Sequence, residues 1–293
     1  MVDSRALDGA LVADAAAMGL HWLYDQQCIA RVEASGDVVF RAADAAHYHE
    51  QKGYFAHAGR RSGEGSHYGE MVRIAAGCAA AGDYSVAAHQ QAFFASFGPG
   101  GSFCGYADRP TKALIARMLT EQPCRELSGA DDDQLPALCA VPGLFAAGCS
   151  LPQVLAAVRM TNVHTDADAA ATALYTALEQ VRSGIALPEA LVRGAEAAGG
   201  TLGDLLSEAL AHQDYAPLQL GEHFGLPCHV PQGLPVAWHL LQHAQDYRTP
   251  VRDNVRIGGD SCGRAMAVGS LAGQAFGVPD DWLNRLTPAT NKP

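Results

Sequence analysis

The sequence predicts an all-α fold, a single compact bundle of about a dozen helices, on three observations. Aromatic residues make up only 7% of a chain rich in alanine. Alternating runs of β-branched residues are nearly absent. Apolar residues instead recur at spacings of three and four, the period of a helix buried along one face. Ala167, Ala170, Ala171, Leu174, Ala177, Leu178 and Val181 show it best, with Glu179 and Gln180 off the stripe.

The first helix is expected over residues 5–20. Leu7, Leu11, Asp14 and Met18 fall at i, i+4, i+7 and i+11, which puts a carboxylate on the core-facing stripe. A buried acid needs a partner, so Asp14 either bonds a neighbouring helix or a ring such as Trp22 or Tyr24, or it lines a site. Val38 to Gly63, with His47, His49 and His57, lacks helical period, and so does Gly98 to Pro110. Long irregular segments in a helical domain are more often functional than decorative. The remaining helices are predicted over 67–82, 85–97, 111–121, 133–147, 151–159, 186–198, 202–212, 232–245 and 261–276, separated by short Gly, Pro or Asp breaks. Neither a fixed-period repeat nor an interdomain linker interrupts this order, so residues 1–293 read as one domain.

Lys and Arg number 20 against 31 Asp and Glu, a net charge of −11 over 293 residues. Such a surface repels nucleic acid and anionic membranes, so neither direct nucleic-acid binding nor membrane attachment is expected, and a small-molecule or basic partner is easier to accommodate. The cysteines at 28, 78, 104, 124, 139, 149, 228 and 262 contain no CxxC pair, which fits neither a disulfide framework nor a zinc ribbon. Asp3, Arg5, Asp8 and Asp14 argue against a secretory signal, and the expected compartment is the cytoplasm. The apolar run from Leu135 to Val158 is broken by Pro136, Pro142, Gly143, Gly148 and Pro152, which predicts two packed helices rather than a bilayer span.

Ser66, ahead of His67-Tyr68-Gly69-Glu70, has the chemistry of an N-cap. Gly258-Gly259-Asp260-Ser261-Cys262-Gly263-Arg264 likewise opens a helix, with Asp260 or Ser261 as cap and the two glycines turning the backbone. That helix continues as Ala265, Val268, Gly269, Ala272 and Gly273, a face small enough for another helix to approach closely. Two helix starts meeting near the core form an anion site unless Asp260 and Asp14 invert the local sign and attract a cation. Cys262, in a first turn beside Arg264, is either a thiolate with lowered pKa or a small buried apolar residue. His67, Asp260 and Cys262 make a candidate transition-metal set, His47-x-His49 a weaker one. Gly98-Pro99-Gly100-Gly101-Ser102, then Gly105-Tyr106-Ala107-Asp108 and Thr111-Lys112, form a loop able to wrap phosphate or sugar with its amides, without P-loop spacing. Asp131-Asp132-Asp133 reads as an acid-rich helix start. Asn162 and His164 belong either to a capped turn or to a site mouth.

This ordered set resembles the ADP-ribosylglycohydrolase family over essentially the whole chain. Asp8-Gly9-Ala10-Leu11-Val12-Ala13-Asp14-Ala15 is similar to the family's first helix, and Gly258-Gly259-Asp260 with Gly277-Val278-Pro279 and Asp281-Trp282-Leu283 is similar to its last metal motif and the segment after that motif. The resemblance implies an all-helical hydrolase that uses two Mg²⁺ ions to remove ADP-ribose from arginine, serine or related acceptors. It places Asp260 or Asp14 as the base and Ser66 and Asp260 at the metal positions, while His67 and Cys262 are candidate reacting groups by their own chemistry, as a thiol–imidazole pair. Ser66, Tyr68, Gly100, Gly101, Ser102, Tyr106, Asn162, His164 and Arg264 are the candidates for holding substrate. Where the family has Thr-Asp-Asp-Thr this chain has Ser66-His67-Tyr68-Gly69, and where it has Gly-Gly-Asp-Thr-Asp-Thr this chain has Gly258-Gly259-Asp260-Ser261-Cys262-Gly263. Gly19-Leu20-His21-Trp22-Leu23-Tyr24-Asp25 with these two motifs is similar to the J1-crystallin-like branch. At most one weakly bound Mg²⁺ is then expected, since imidazole, phenol and thiol are poor ligands for that ion. Three functions fit: hydrolysis of an N- or O-glycosidic ADP-ribose-like bond with Asp260 or Asp14 as base, a catalytically degenerate crystallin-like binding or structural protein, and a thiol-dependent hydrolase using Cys262 with His67.

Overall fold

The computed structural model describes residues 3–49, 52–121 and 127–287, so Cys124 lies outside the described residues. Fifteen α-helices are found among them. In chain order they are α1 (Arg5–Ala17), α2 (Gln26–Ala34), α3 (His67–Ala80), α4 (Val86–Phe97), α5 (Arg109–Thr120), α6 (Ala140–Ala146), α7 (Leu151–Val158), α8 (Thr165–Arg182), α9 (Leu187–Ala198), α10 (Gly200–Ala211), α11 (Pro217–Phe224), α12 (Val230–Gln242), α13 (Arg248–Ile257), α14 (Ser261–Phe276) and α15 (Asp280–Leu283). Pairing between extended residues is limited, among the described residues, to isolated bridges such as Leu23 with Gly53. The all-α architecture is therefore as expected.

The expected helices form, and α2, α11, α13 and the single-turn α15 are added to them. Each of the first three has a short apolar stripe interrupted by charge. In α13 only Val251, Val255 and Ile257, with Pro250 and Asn254, turn inward, while Arg248, Arg252, Asp253 and Arg256 occupy the rest. The two irregular segments are also present: the chain between α2 and α3 contains, among the described residues, only a single 3₁₀ turn at Ala45–His47, and residues 98–108 join α4 to α5.

The core is organised on α14, whose side chains from Ser261 to Gln274 are all buried. It runs antiparallel to α1 at backbone contact, with Gly273 beside Arg5 and Cys262 beside Asp14. A Cβ on Gly9 would lie 2.1 Å from the Gly269 carbonyl oxygen, so only glycine permits this approach. The consequence is positional: the C-terminal half of α1 is carried to the first turn of α14.

That first turn is reached through Gly258 (φ 79°) and Gly259 (φ 67°), both left-handed. Gly259 exchanges backbone hydrogen bonds with Trp22 and Leu23, each 2.8 Å, which anchors the segment after α1 against the start of α14. Trp22 is itself held at φ 60°, a sparsely populated conformation for a bulky residue and one that recurs at functional sites. Among the described residues no helix is long and apolar enough to cross a membrane.

Candidate functional site

Two helix N-termini meet at the centre, each capped by the residue the sequence singles out. Ser66 Oγ accepts from the Tyr68 amide at 3.1 Å to open α3, and Asp260 Oδ1 accepts from the Gly263 amide at 2.8 Å to open α14. Ser66 also donates its amide and hydroxyl to the Asp14 carboxylate, at 2.7 and 2.5 Å. Tyr68 donates its hydroxyl to Asp260 Oδ2 at 2.7 Å. Cys262 Sγ lies 3.7 Å from the Asp14 carbonyl. Asp14, Ser66, His67, Tyr68, Asp260 and Cys262 thus share one buried cluster. Gly69 contributes by what it lacks, since a Cβ there would fall 2.2 Å from Asp14 Oδ2.

His21 and His57, to which the sequence reading assigns no role, complete the arrangement. His21 Nε2 is 2.9 Å from Asp260 Oδ1, and His21 Nδ1 is 2.6 Å from His57 Nε2. The carboxylate only accepts, so the proton of neutral His21 is on Nε2 and its Nδ1 accepts from His57. Their rings are stacked at 4.9 Å, and the His67 ring lies 6.2–6.3 Å from both. His67 Nε2 comes within 3.2 Å of Asp108 Oδ2 without the alignment of a hydrogen bond, and among the described residues neither His67 nitrogen has a hydrogen-bond partner. Asp108 caps α5 through the Thr111 amide. The signal for His21 was its place directly after an acid-bearing helix. His57, in an irregular segment, offered none beyond its residue type.

Burial dominates the electrostatics. It pushes His21 and His57 below the usual imidazole range, so both rings are neutral near pH 7. Burial also raises the Asp260 carboxyl, but the donors His21, Tyr68 and Gly263 outweigh it and hold Asp260 below the usual range as an anion. Asp108 is lowered in the same way, burial being outweighed by His67 and Thr111. The Tyr68 phenol is pushed well up by burial and by Asp260.

Of the two readings of Cys262 the small buried residue holds and the lowered thiolate does not: burial, then Asp14 and Asp260, push the thiol well above its ordinary value. Two other sequence expectations are corrected by the structure. Arg264 does not flank the thiol as a free cation, because its Nε bonds Asn254 Oδ1 at 2.8 Å and its Nη2 the carbonyls of Asn254 and Gly258. Most of the amides of the Gly100-Gly101-Ser102 turn are not free for phosphate: those of Gly101, Ser102 and Phe103 are taken by the carbonyls of Gly98, Ala95 and Ser96 at the end of α4.

Outside the centre, Asn162 Nδ2 donates to Asp132 Oδ1 at 3.0 Å, and His164 caps α8 by accepting the Asp166 amide at 3.1 Å. Tyr106 is at the site. Its ring sits 5.0 Å from Trp22, 5.9 Å from Tyr54 and 5.2 Å from His67, with Lys112 Nζ 4.9 Å above it. Tyr54 is 57% exposed, so this aromatic wall runs from solvent down to the histidines.

The donor set does not fit two Mg²⁺ ions. Ser66, His21, Tyr68 and Gly263 together give the two central carboxylates five hydrogen bonds. That leaves about three of their roughly eight lone-pair sites. A pair of octahedral ions asks for about twelve oxygens, and the substitutes at neighbouring positions are imidazole, phenol and thiol.

A family model described as ADP-ribosylglycohydrolase matches residues 5–291. Crystallin J1A of Tripedalia cystophora is 32% identical over 65 residues, which is 21% of this chain. The match spans only a fifth of that relative, 20% of its length. A solved structure described as an ADP-ribosylglycohydrolase-related protein complex superposes with a TM-score of 0.69 at 17% identity, covering 97% of this chain and 92% of its own, a likeness of fold.

Proposed function

The chain belongs to the ADP-ribosylglycohydrolase family, and from that premise we propose that it hydrolyses an N- or O-glycosidic bond of an ADP-ribose-like group with little or no dependence on Mg²⁺. Family membership supports a hydrolase acting on ADP-ribosylated substrates, small or protein-borne. We extend it to residues 1–293 as one domain. The observation that carries the reading is the meeting of Asp14 and Asp260 at two capped helix starts beneath Trp22, Tyr54 and Tyr106.

The aromatic wall offers faces for a base or sugar to stack on, and Lys112 over Tyr106 offers a cation to a diphosphate. Cleavage of a glycosidic bond builds positive charge on the sugar, and the anion at Asp260 is placed to offset it without reorganising. Among the described residues Asp260 Oδ2 accepts only the Tyr68 hydroxyl, so it keeps a lone pair for a proton of the attacking water. In the balanced step, the water oxygen bonds the anomeric carbon, its proton passes to Asp260, and the acceptor leaves with the glycosidic electron pair and a proton from solvent.

The complete burial of both acids, and the five donors already bonded to them, favour a second reading, a crystallin-like protein that binds ADP-ribose without turnover. Incubation with ADP-ribosylated arginine and serine peptides in the presence of chelator separates the two. Release of free ADP-ribose supports the hydrolase. Calorimetric binding of ADP-ribose with no release supports the binding protein.

A further inference from the structure

Among the described residues, one cluster in the interior brings nitrogen and sulfur ligands together. His21, His57 and Cys262 are 0, 4 and 0% exposed, and one ligand atom from each lies within 4.8 Å of the other two. We propose that these three residues hold a single borderline-soft divalent transition ion, of which Zn²⁺ is the reference case. This goes beyond the hydrolase reading and stands whether or not the protein turns over ADP-ribose.

The ligand types match that class of ion: two imidazoles and a thiol suit Zn²⁺ or Co²⁺ and disfavour Mg²⁺. The orientation of His21 matches too. Asp260 fixes the Nε2 proton, which leaves the Nδ1 lone pair facing the cluster, the carboxylate–histidine arrangement that orients metal-bound imidazoles. The Tyr48 hydroxyl bonds the His21 carbonyl at 2.7 Å and steadies the same residue from its backbone.

Zinc–nitrogen bonds of about 2.0–2.1 Å at a tetrahedral angle set the nitrogens about 3.3 Å apart. The observed separation is 2.6 Å, so one ring must withdraw by several tenths of an ångström. His57 is the one free to do so, because it lies in the irregular chain between α2 and α3, while His21 is held by Asp260 and Tyr48. Its neighbour His67 adds a third buried imidazole, with neither nitrogen in an aligned hydrogen bond among the described residues and Nε2 3.2 Å from Asp108 Oδ2.

Binding releases one proton overall. The Cys262 S–H gives its proton to solvent and the thiolate donates its electron pair to the ion, while the His57 proton moves from Nε2, where it bonds His21, to Nδ1 so that the Nε2 lone pair can ligate. The resulting net charge of +1 on ion and thiolate sits beside the anions of Asp260 and Asp14 rather than alone in the core. Three protein ligands leave a fourth position for water, as in zinc sites with an open position.

The test uses the full chain carrying His223→Ala, which dismantles the exposed group of Glu208, His212 and His223 so that it takes no ion. After dialysis against chelator, Co²⁺ is added and the unbound ion removed. The expected result is one Co²⁺ per chain, with a sulfur-to-cobalt charge-transfer band and the visible bands of a four-coordinate ion, both erased by Zn²⁺. Cys262→Ser should abolish the charge-transfer band, and His57→Gln should weaken binding at least tenfold. Retention of no Co²⁺, or retention without the sulfur band, would overturn the proposal. So would an unchanged stoichiometry in a folded Cys262→Ser protein. Should that variant not fold, the band in the Cys262-containing chain and the His57→Gln affinity decide.

Discussion

Replacing Tyr68 with Phe removes a single oxygen, the one that donates to Asp260 Oδ2 at 2.7 Å. The ring stays, so packing against His21 and His67 is preserved. A buried hydrogen bond to an ionised group contributes roughly 1.5–3 kcal/mol. Its loss raises the Asp260 pKa from its lowered native position. The sign follows from the direction of the native shift. Burial raises Asp260, but its donors hold it below the usual carboxylate range, so its stabilisation is present above that range and is lost as pH falls through the folded value. Urea titrations should therefore show Tyr68→Phe less stable by about 2 kcal/mol near neutrality, the deficit shrinking in acid. The pH–rate profile for ADP-ribose release should have its acid limb moved to higher pH. A purely structural tyrosine would give the stability loss with an unmoved limb, and that result would refute the assignment of Tyr68 as the positioning donor of Asp260.

Acid should destabilise the fold through its buried neutral imidazoles as well. Burial lowers His89 from 6.5 to about 4, so on going from about pH 7 to 5.5 the unfolded chain takes up a proton the folded chain refuses, a loss of about 1 kcal/mol. His21 and His57 act in the same direction, and a folded His89→Gln variant should show a shallower acid slope, an unchanged slope counting against burial as the cause. Gly9→Ala should be destabilising by more than about 2 kcal/mol, because the helix propensity gained, about 1 kcal/mol, is smaller than the cost of parting α1 from the Gly269 carbonyl 2.1 Å away. Gly77→Ala, where the added Cβ meets nothing within 4 Å among the described residues, should raise stability by up to about 1 kcal/mol, and thermal melts of the pair measure both.

The parts legible in the sequence were those set by local chemistry. Ser66 and Asp260 announce their helices because a hydroxyl or carboxylate before an apolar run has free amides to cap, and the small face of α14 announces its central place. Asp14 was visible as an acid on a core stripe, and its partner proved to be Ser66 rather than Trp22 or Tyr24. What stayed hidden depends on contacts between distant segments. His57 reaches His21 across 36 residues and His21 reaches Asp260 across 239, and neither pairing leaves a local pattern. Cys262 stayed between a thiolate and a buried apolar residue for the same reason: its helix start is local, but the carboxylates and the burial that dominate it are tertiary. The glycine turn at 98–102 looked open because sequence shows amides and not the carbonyls of Ala95, Ser96 and Gly98 that take those of Gly101, Ser102 and Phe103.

The central claim is that Asp260, without a Mg²⁺ pair, serves the attack of water on an ADP-ribose bond. Single-turnover release of ADP-ribose from a modified peptide by chelator-treated protein in ¹⁸O-labelled water tests it, with Asp260→Asn alongside. The released ADP-ribose should carry one ¹⁸O at its anomeric carbon, unaffected by chelator, and the variant should be slower by about 10²–10⁴-fold. Release that stops with chelator and returns with Mg²⁺, or an Asp260→Asn protein as fast as the parent, would contradict it.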